Sequence, residues 1–171
     1  MSGHSRWSQI KHKKELTDKK RGQIFSKFSR LITLAAKKGT DPKTNLTLHQ
    51  EIEKAKMANM PKENIERAIK RVSDKDQTQL EELLIEALGP GGIALKVRAI
   101  TDNRNRTLAE IKKILNDHES KMVPPRSLDW MFNQPMTIDP ANQEKLDKLL
   151  EALDDQDEVE EVNSNLLEDN S

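Results

Sequence analysis

The chain has 171 residues, of which 34% are hydrophobic and 34% charged, with no cysteine and a formal net charge of zero. That is room for one or two small domains with a modest core, polar for a globular protein but short of a disordered composition. Disulfide frameworks and thiolate metal sites are excluded, and no apolar run reaches the roughly 18 residues that cross a bilayer.

The zero charge conceals a dipole. Residues 1–72 carry 18 basic and 7 acidic side chains, residues 73–138 carry 9 and 10, and residues 139–171 carry 2 and 12. A basic half of this kind points to a polyanion, with the acidic end repelling it or folding back on the basic half.

Met1 to Gly22 holds seven lysines and arginines against Glu15 and Asp18, and too few apolar residues to bury itself. Trp7 stands among Ser5, Arg6, Ser8 and Gln9, with His4 and His12 on either side. A charged arm with one stacking surface is the composition for phosphate contact plus base stacking; the alternative is a solvated tail pinned down by Trp7. Ile24, Phe28, Leu31 and Ala35, widened by Phe25 and Ile32, predict an amphipathic helix over 19–38 ended by Gly39. Lys19, Lys20, Lys27, Arg30 and Lys37 share one arc beside that stripe, either continuing the arm's contact surface or forming a solvated face.

After Asp41-Pro42, a second helix runs through Leu48, Ile52 and Ala55, and Pro61 opens a third through Ile65, Ala68, Ile69 and Val72. Met57 and Met60 read as core filler. The third helix offers Lys62, Arg67, Lys70 and Arg71 but no asparagine or glutamine after Asn64, which suits phosphates better than base edges.

Ser73 to Gln79 reads as a linker. From Leu80 to Leu88 the leucines repeat with helical spacing, so the residues alone suggest a helix capped by Gly89. Gly89-Pro90-Gly91-Gly92 lacks the Lys-Ser/Thr ending of a phosphate-binding loop and reads as a hairpin connection. Ile93 to Ile100 alternates as a half-buried strand with Lys96 and Arg98 on its outer edge.

Leu108, Ile111, Leu115 and His118 predict a helix whose Thr107 and Glu110 have capping-box spacing. Arg104 and Arg106 stand at its start, where cations oppose the helix dipole, so they are candidates for holding phosphate; the alternative is pairing with acids such as Asp102. Leu128, Trp130 and Phe132 alternate as a strand with Trp130 in the core. A helix over Ala141 to Leu153 and a closing segment at Glu158 to Val162 follow.

Several of these stretches carry a resemblance. Ser2-Gly3-His4-Ser5-Arg6-Trp7, Ile10-Lys11-His12-Lys13 and Lys19-x-Arg21-Gly22-x-Ile24-Phe25 resemble the opening signature of the YebC/PmpR family. That family includes the mitochondrial translational activator of cytochrome oxidase subunit I. Gly89 to Gly92, Asp102-Asn103-Arg104-Asn105-Arg106-Thr107 and Ser127-Leu128-Asp129-Trp130-Met131-Phe132 follow in the family's order. The resemblance implies a strand over Leu80 to Leu88. It departs at Leu88, where a tyrosine is usual, at Pro124-Pro125, where glycines are usual, and after Pro135, where the family's inserted module of some tens of residues is missing.

No Gly-x-Ser-x-Gly, His-Glu-x-x-His or Gly-x-Gly-x-x-Gly occurs, and His4, His12, His49 and His118 lack ligand spacing. The expectation is therefore an α+β protein without enzymatic activity or cofactor. A basic arm and three-helix bundle (1–72) and a linker (73–79) precede a small antiparallel sheet covered by two helices (80–163) and an acidic tail (164–171). The expected nucleic-acid-binding residues are His4, Arg6, Trp7, Lys11, His12, Lys13, Lys14, Lys19, Lys20, Arg21, Lys27, Arg30, Arg104 and Arg106. The resemblance implies either a ribosome-engaging translation factor or a DNA-binding transcriptional regulator, and the arm favours ribosomal RNA. Neither a membrane nor a small-molecule substrate is expected. The location is cytoplasmic, or the mitochondrial matrix for a mature eukaryotic form.

Overall fold

The computed structural model describes residues 17–74 and 79–167. Two compact units divide them. A helical unit takes the described residues up to Glu81 together with Ile100–Asn103, and a sheet unit takes Glu82–Ala99 and the described residues from Arg104 onward.

The helical unit consists of α1 (Asp18–Ala36), α2 (Leu46–Met57) and α3 (Lys62–Lys70), with a 3-10 turn at Arg71–Ser73. Thr17 caps α1 by accepting the Lys20 N–H at 3.2 Å, one of the donors a helix start leaves without an internal partner. The chain reverses after Gly39, whose φ of +148° suits a residue without a side chain. Asn45 then joins two elements: its oxygen accepts the Leu48 N–H to start α2, and its amide nitrogen donates at 2.8 Å to the Ala35 and Gly39 carbonyls at the end of α1. The core collects Ile32, Ala35 and Ala36 of α1, Leu48, Ile52 and Ala55 of α2, Met60, and Ile65 and Ala68 of α3. Phe25 and Phe28 pack against it from α1. Thr33 lies 2.8 Å from both the Ser29 and the Ala68 carbonyl, tying α1 to α3.

Two side chains differ from expectation in this unit. Lys27 is 6% exposed, so it belongs to the buried surface of α1 rather than to a solvated arc. Met57 is 84% exposed at the end of α2, whereas Met60 fills the core as its neighbours require.

The sheet unit contains β1 (Glu81–Leu88), β2 (Ala94–Thr101), α4 (Arg104–Asp117), β3 (Lys121–Val123), α5 (Asp129–Phe132), α6 (Pro140–Asp155) and β4 (Val159–Ser164). The strand order is β3-β1-β2-β4, with β3 antiparallel to β1 and β4 antiparallel to β2. The strand implied by the resemblance is present: Leu83, Ile85 and Ala87 alternate inward, and the leucine at 84 that completed the helical pattern is 56% exposed on the opposite face. Leu95, Val97 and Ala99 of β2 and Val159 and Val162 of β4 line the same inner face. Ile111 and Leu115 of α4 and Leu146, Leu149, Leu150 and Leu153 of α6 cover it, which gives the expected α+β layering.

The β1–β2 turn closes with the Gly89 N–H donating to the Ile93 carbonyl at 2.8 Å. Gly91 there has φ +72°, and a Cβ on it would stand 2.7 Å from Ile138, so only glycine fits. Helix α4 starts three residues before the expected cap. Thr107 is therefore buried inside the helix, and Glu110 accepts the Gln156 side chain at 2.8 Å instead of forming a capping box.

The Leu128–Phe132 segment is a short helix rather than a strand, and Trp130 is 62% exposed rather than part of the core. The cause lies in the anchoring of the segment. Glu86, 4% exposed on the outer face of β1, accepts the backbone N–H groups of Arg126 and Leu128, which removes them from any strand ladder. At the other end Asn165, nearly fully buried, donates its amide to the Met131 and Gln134 carbonyls and accepts the Ala94 N–H at 2.9 Å. The Met136 and Leu167 N–H groups then pair with the Asn165 and Met136 carbonyls, so the direct passage from Gln134 to Ile138 is stitched to the chain's closing segment.

Candidate nucleic-acid interface

The charge of the two units is opposite. Between residues 17 and 74 stand 14 basic and 7 acidic side chains, and between 79 and 167 stand 10 and 18. The helical unit is thus the described part that attracts a polyanion.

His4, Arg6, Trp7, Lys11, His12, Lys13 and Lys14 lie outside the described residues. The remaining expected residues divide between the units. On α1, Lys19 is exposed, and Arg21 is half-exposed in a 2.8 Å ion pair with Asp18, one turn away at the exposed helix start. Such an exposed pair contributes little to stability. Lys20 and Arg30 are half-buried, and Lys27 is buried. Lys37 donates to the Leu80 carbonyl at 2.7 Å and so holds the chain after the bundle.

In the sheet unit, Arg104 is the exposed first residue of α4. Arg106, two residues later and so towards the other side of the helix, is held at 2.9 Å by Glu158, whose side chain is 10% exposed. This partner is an acid 52 positions distant in the chain. The outer face of the sheet also carries charge compensation: Arg98 pairs with Glu82 at 3.0 Å, and Lys96 reaches Asp129 at 3.5 Å while lying over the Phe132 ring at 4.6 Å.

Two features escaped the residue patterns. The first is the fixed, exposed indole of Trp130, whose Nε1 donates to the Ser127 carbonyl at 3.1 Å. The second is the reversal between α2 and α3, a four-residue turn in which Asn59 adopts φ +64°. The exposed arc of α3 that follows it includes Glu63 and Glu66 as well as Lys62, Arg67 and Lys70. Among the described residues no helix is long and apolar enough to cross a membrane.

Comparison with known proteins adds sequence and structural relatives. The family model described as the TACO1/YebC protein N-terminal domain matches residues 5–75, and that of the TACO1/YebC second and third domain matches residues 80–139. A protein of Pseudothermotoga lettingae named as a probable transcriptional regulatory protein is 43% identical over 170 residues, 92% of this chain and 67% of the relative. One of Thermoanaerobacter pseudethanolicus with the same descriptive name is 48% identical over 136 residues, 78% of this chain and 55% of the relative. The chain therefore spans between about half and two thirds of the length of these relatives. The crystal structure of a conserved hypothetical protein from Aquifex aeolicus superimposes with a TM-score of 0.82 at 30% identity, covering 95% of this chain and 97% of that one.

Proposed function

The chain belongs to the TACO1/YebC family, and on that premise we propose that it is a non-catalytic regulator of gene expression that binds nucleic acid through its basic helical unit. The charge division carries this reading: an excess of seven basic side chains on residues 17–74, continuous in sequence with Arg6, Lys11, Lys13 and Lys14 before them, against an acidic sheet unit. The relatives' names as probable transcriptional regulatory proteins support the regulatory part. A cytoplasmic location follows from it.

Two targets fit this function. DNA is supported by those names. Ribosomal RNA is supported by the composition of the arm, where Trp7, His4 and His12 suit unstacked bases and 2′-hydroxyls. The experiment is binding to duplex DNA and to structured RNA across a salt series, with ribosome co-sedimentation in parallel. If the basic half meets roughly five phosphates, log affinity falls against log salt with a slope of about −3.5 to −4.5. Changing Lys11, Lys13 and Lys14 to glutamine flattens it. A salt-independent affinity, or the same slope in that variant, refutes the assignment of the arm as contact surface.

A further inference from the structure

The helical unit contains an element that its net charge alone does not account for. Helix α2 ends at Met57, α3 begins at Lys62, and the four residues between them turn sharply at Asn59, a non-glycine residue in the left-handed region. Four positions before Asn59 stands Ala55, fully buried, and one position after it Met60, also buried. Six and nine positions after Asn59 stand Ile65 and Ala68, the two fully seated residues of α3. Each of these has a geometric reason. A small residue at 55 lets the second helix approach the first closely, the left-handed residue reverses the chain within one turn, and Ile65 and Ala68 seat α3 in the core it shares with α1 and α2. Thr33 of α1 fixes the far end of α3 through the Ala68 carbonyl. Two short helices joined by such a turn and backed by a third have the order of elements of a helix–turn–helix.

The outward side of α3 has chemistry to match. At 100° per residue, Lys62, Glu66, Lys70, Glu63 and Arg67 occupy one arc of roughly 140° opposite Ile65 and Ala68, and all five are exposed. The lysines and arginines of α3 taken alone suit phosphates, but Glu63 and Glu66 are exposed among them, and a carboxylate repels the backbone. Carboxylates are compatible with a helix that reaches past the phosphates to base edges, where Glu accepts from the cytosine amino group and Arg donates to guanine. Lys62 and Glu66 form only a long, exposed contact of 3.8 Å, so both can turn to a ligand.

We propose that α2, the Ala58–Pro61 turn and α3 form a helix–turn–helix reader of duplex DNA, with Lys62, Glu63, Glu66 and Arg67 presented to the major groove and Lys70 and Arg71 to phosphates. The inference rests on the nucleic-acid reading above and commits it to the duplex, for which the net positive charge of the unit supplies complementarity.

The test uses the full chain. Wild type, Arg67→Ala and Glu66→Gln, each checked for folding by circular dichroism, are taken through selection from randomised duplex DNA, and their affinities for random duplex and structured RNA are measured. Wild type should enrich a defined sequence. Arg67→Ala should lose about 5- to 150-fold on the selected site, the range of one good bidentate base contact. Its affinity for random duplex should fall by no more than about threefold, since one phosphate-range charge is removed. Glu66→Gln should shift the preferred base at one position towards adenine, which an amide can pair in bidentate fashion. Duplex binding without an enriched sequence, or variants that select the wild-type sequence, overturns the inference and leaves the nucleic-acid reading standing. So does binding to RNA with none to duplex, whereas absence of binding to any nucleic acid overturns both.

Discussion

Glu86 shows how one carboxylate sets the exposure of a side chain more than forty residues away. Its two oxygens serve the N–H groups of Arg126 and Leu128, and the turn they stabilise holds Arg126 at φ +66° and sends Trp130 outward. Truncating it strands both donors against the sheet, at about 1–3 kcal/mol for each one left buried. Glu86→Ala should therefore lower the unfolding free energy by about 2 kcal/mol or more in chemical denaturation. In a Trp7→Phe background, the fluorescence anisotropy of Trp130 should fall as its segment loosens. An unchanged anisotropy with unchanged stability would remove Glu86 from this role. Nothing local in the chain foretold it: the alternation of Leu128, Trp130 and Phe132 matches a strand, and the competing acceptor comes from a strand forty positions earlier.

At the level of elements, legibility followed the length and purity of the pattern. Helices α1 to α3, strand β2 and helix α6 each carry several turns or pairs of periodic apolar residues, and each lies close to where that periodicity puts it. Strand β1 was illegible from its residues, since Leu80, Leu83, Leu84, Ala87 and Leu88 satisfy a helix as well; burial on one face by α4 and α6 decides it, and only the resemblance to a family anticipated that outcome. The start of α4 was misjudged because Thr107 and Glu110 have capping spacing yet serve the interior and Gln156. Of the expected binding residues, Lys27 is buried, because a charge on the border of an apolar stripe can be enclosed as well as solvated. The turn between α2 and α3 was hidden because asparagine stands where glycine would have announced a left-handed residue. Asn59→Gly should accordingly be nearly neutral in denaturant unfolding, whereas Asn59→Val should cost about 1–2 kcal/mol, the penalty of a β-branched residue at positive φ. Equal stabilities for the two variants would argue against a left-handed conformation at that position.

Over the whole molecule, opposite charges are assigned to two compact units, so the field a polyanion meets is the sum of an attractive and a repulsive half. Neutralising part of the acidic half should strengthen binding at low salt. Asp155 and Asp157, exposed at the end of α6 and just beyond it, can be changed to asparagine without touching the buried Leu153 or Val159. The double variant should bind random nucleic acid more tightly than wild type at about 0.01 M salt, where the Debye length is roughly 30 Å, and the same as wild type near 1 M, where it is about 3 Å. Equal affinities at low salt would show that the acidic unit does not influence the contact. Truncation is the wrong tool for this question, since removing the chain from residue 154 would delete β4 with its two buried valines.

The strand order has a further consequence, one of time. The two central strands are consecutive in the chain, while the strands that flank them come later, the last ending at Ser164 of 171 residues. During synthesis the helical unit and the central hairpin are therefore made first; the β1 edge gains its partner with β3 at Lys121–Val123, and the β2 edge waits for β4 at Val159–Ser164. For that interval the nascent protein is strongly cationic, with its acidic counterweight still to be translated. A polyanion nearby meets the growing chain at its most adhesive, before residues 139–171 bring their 12 acidic side chains.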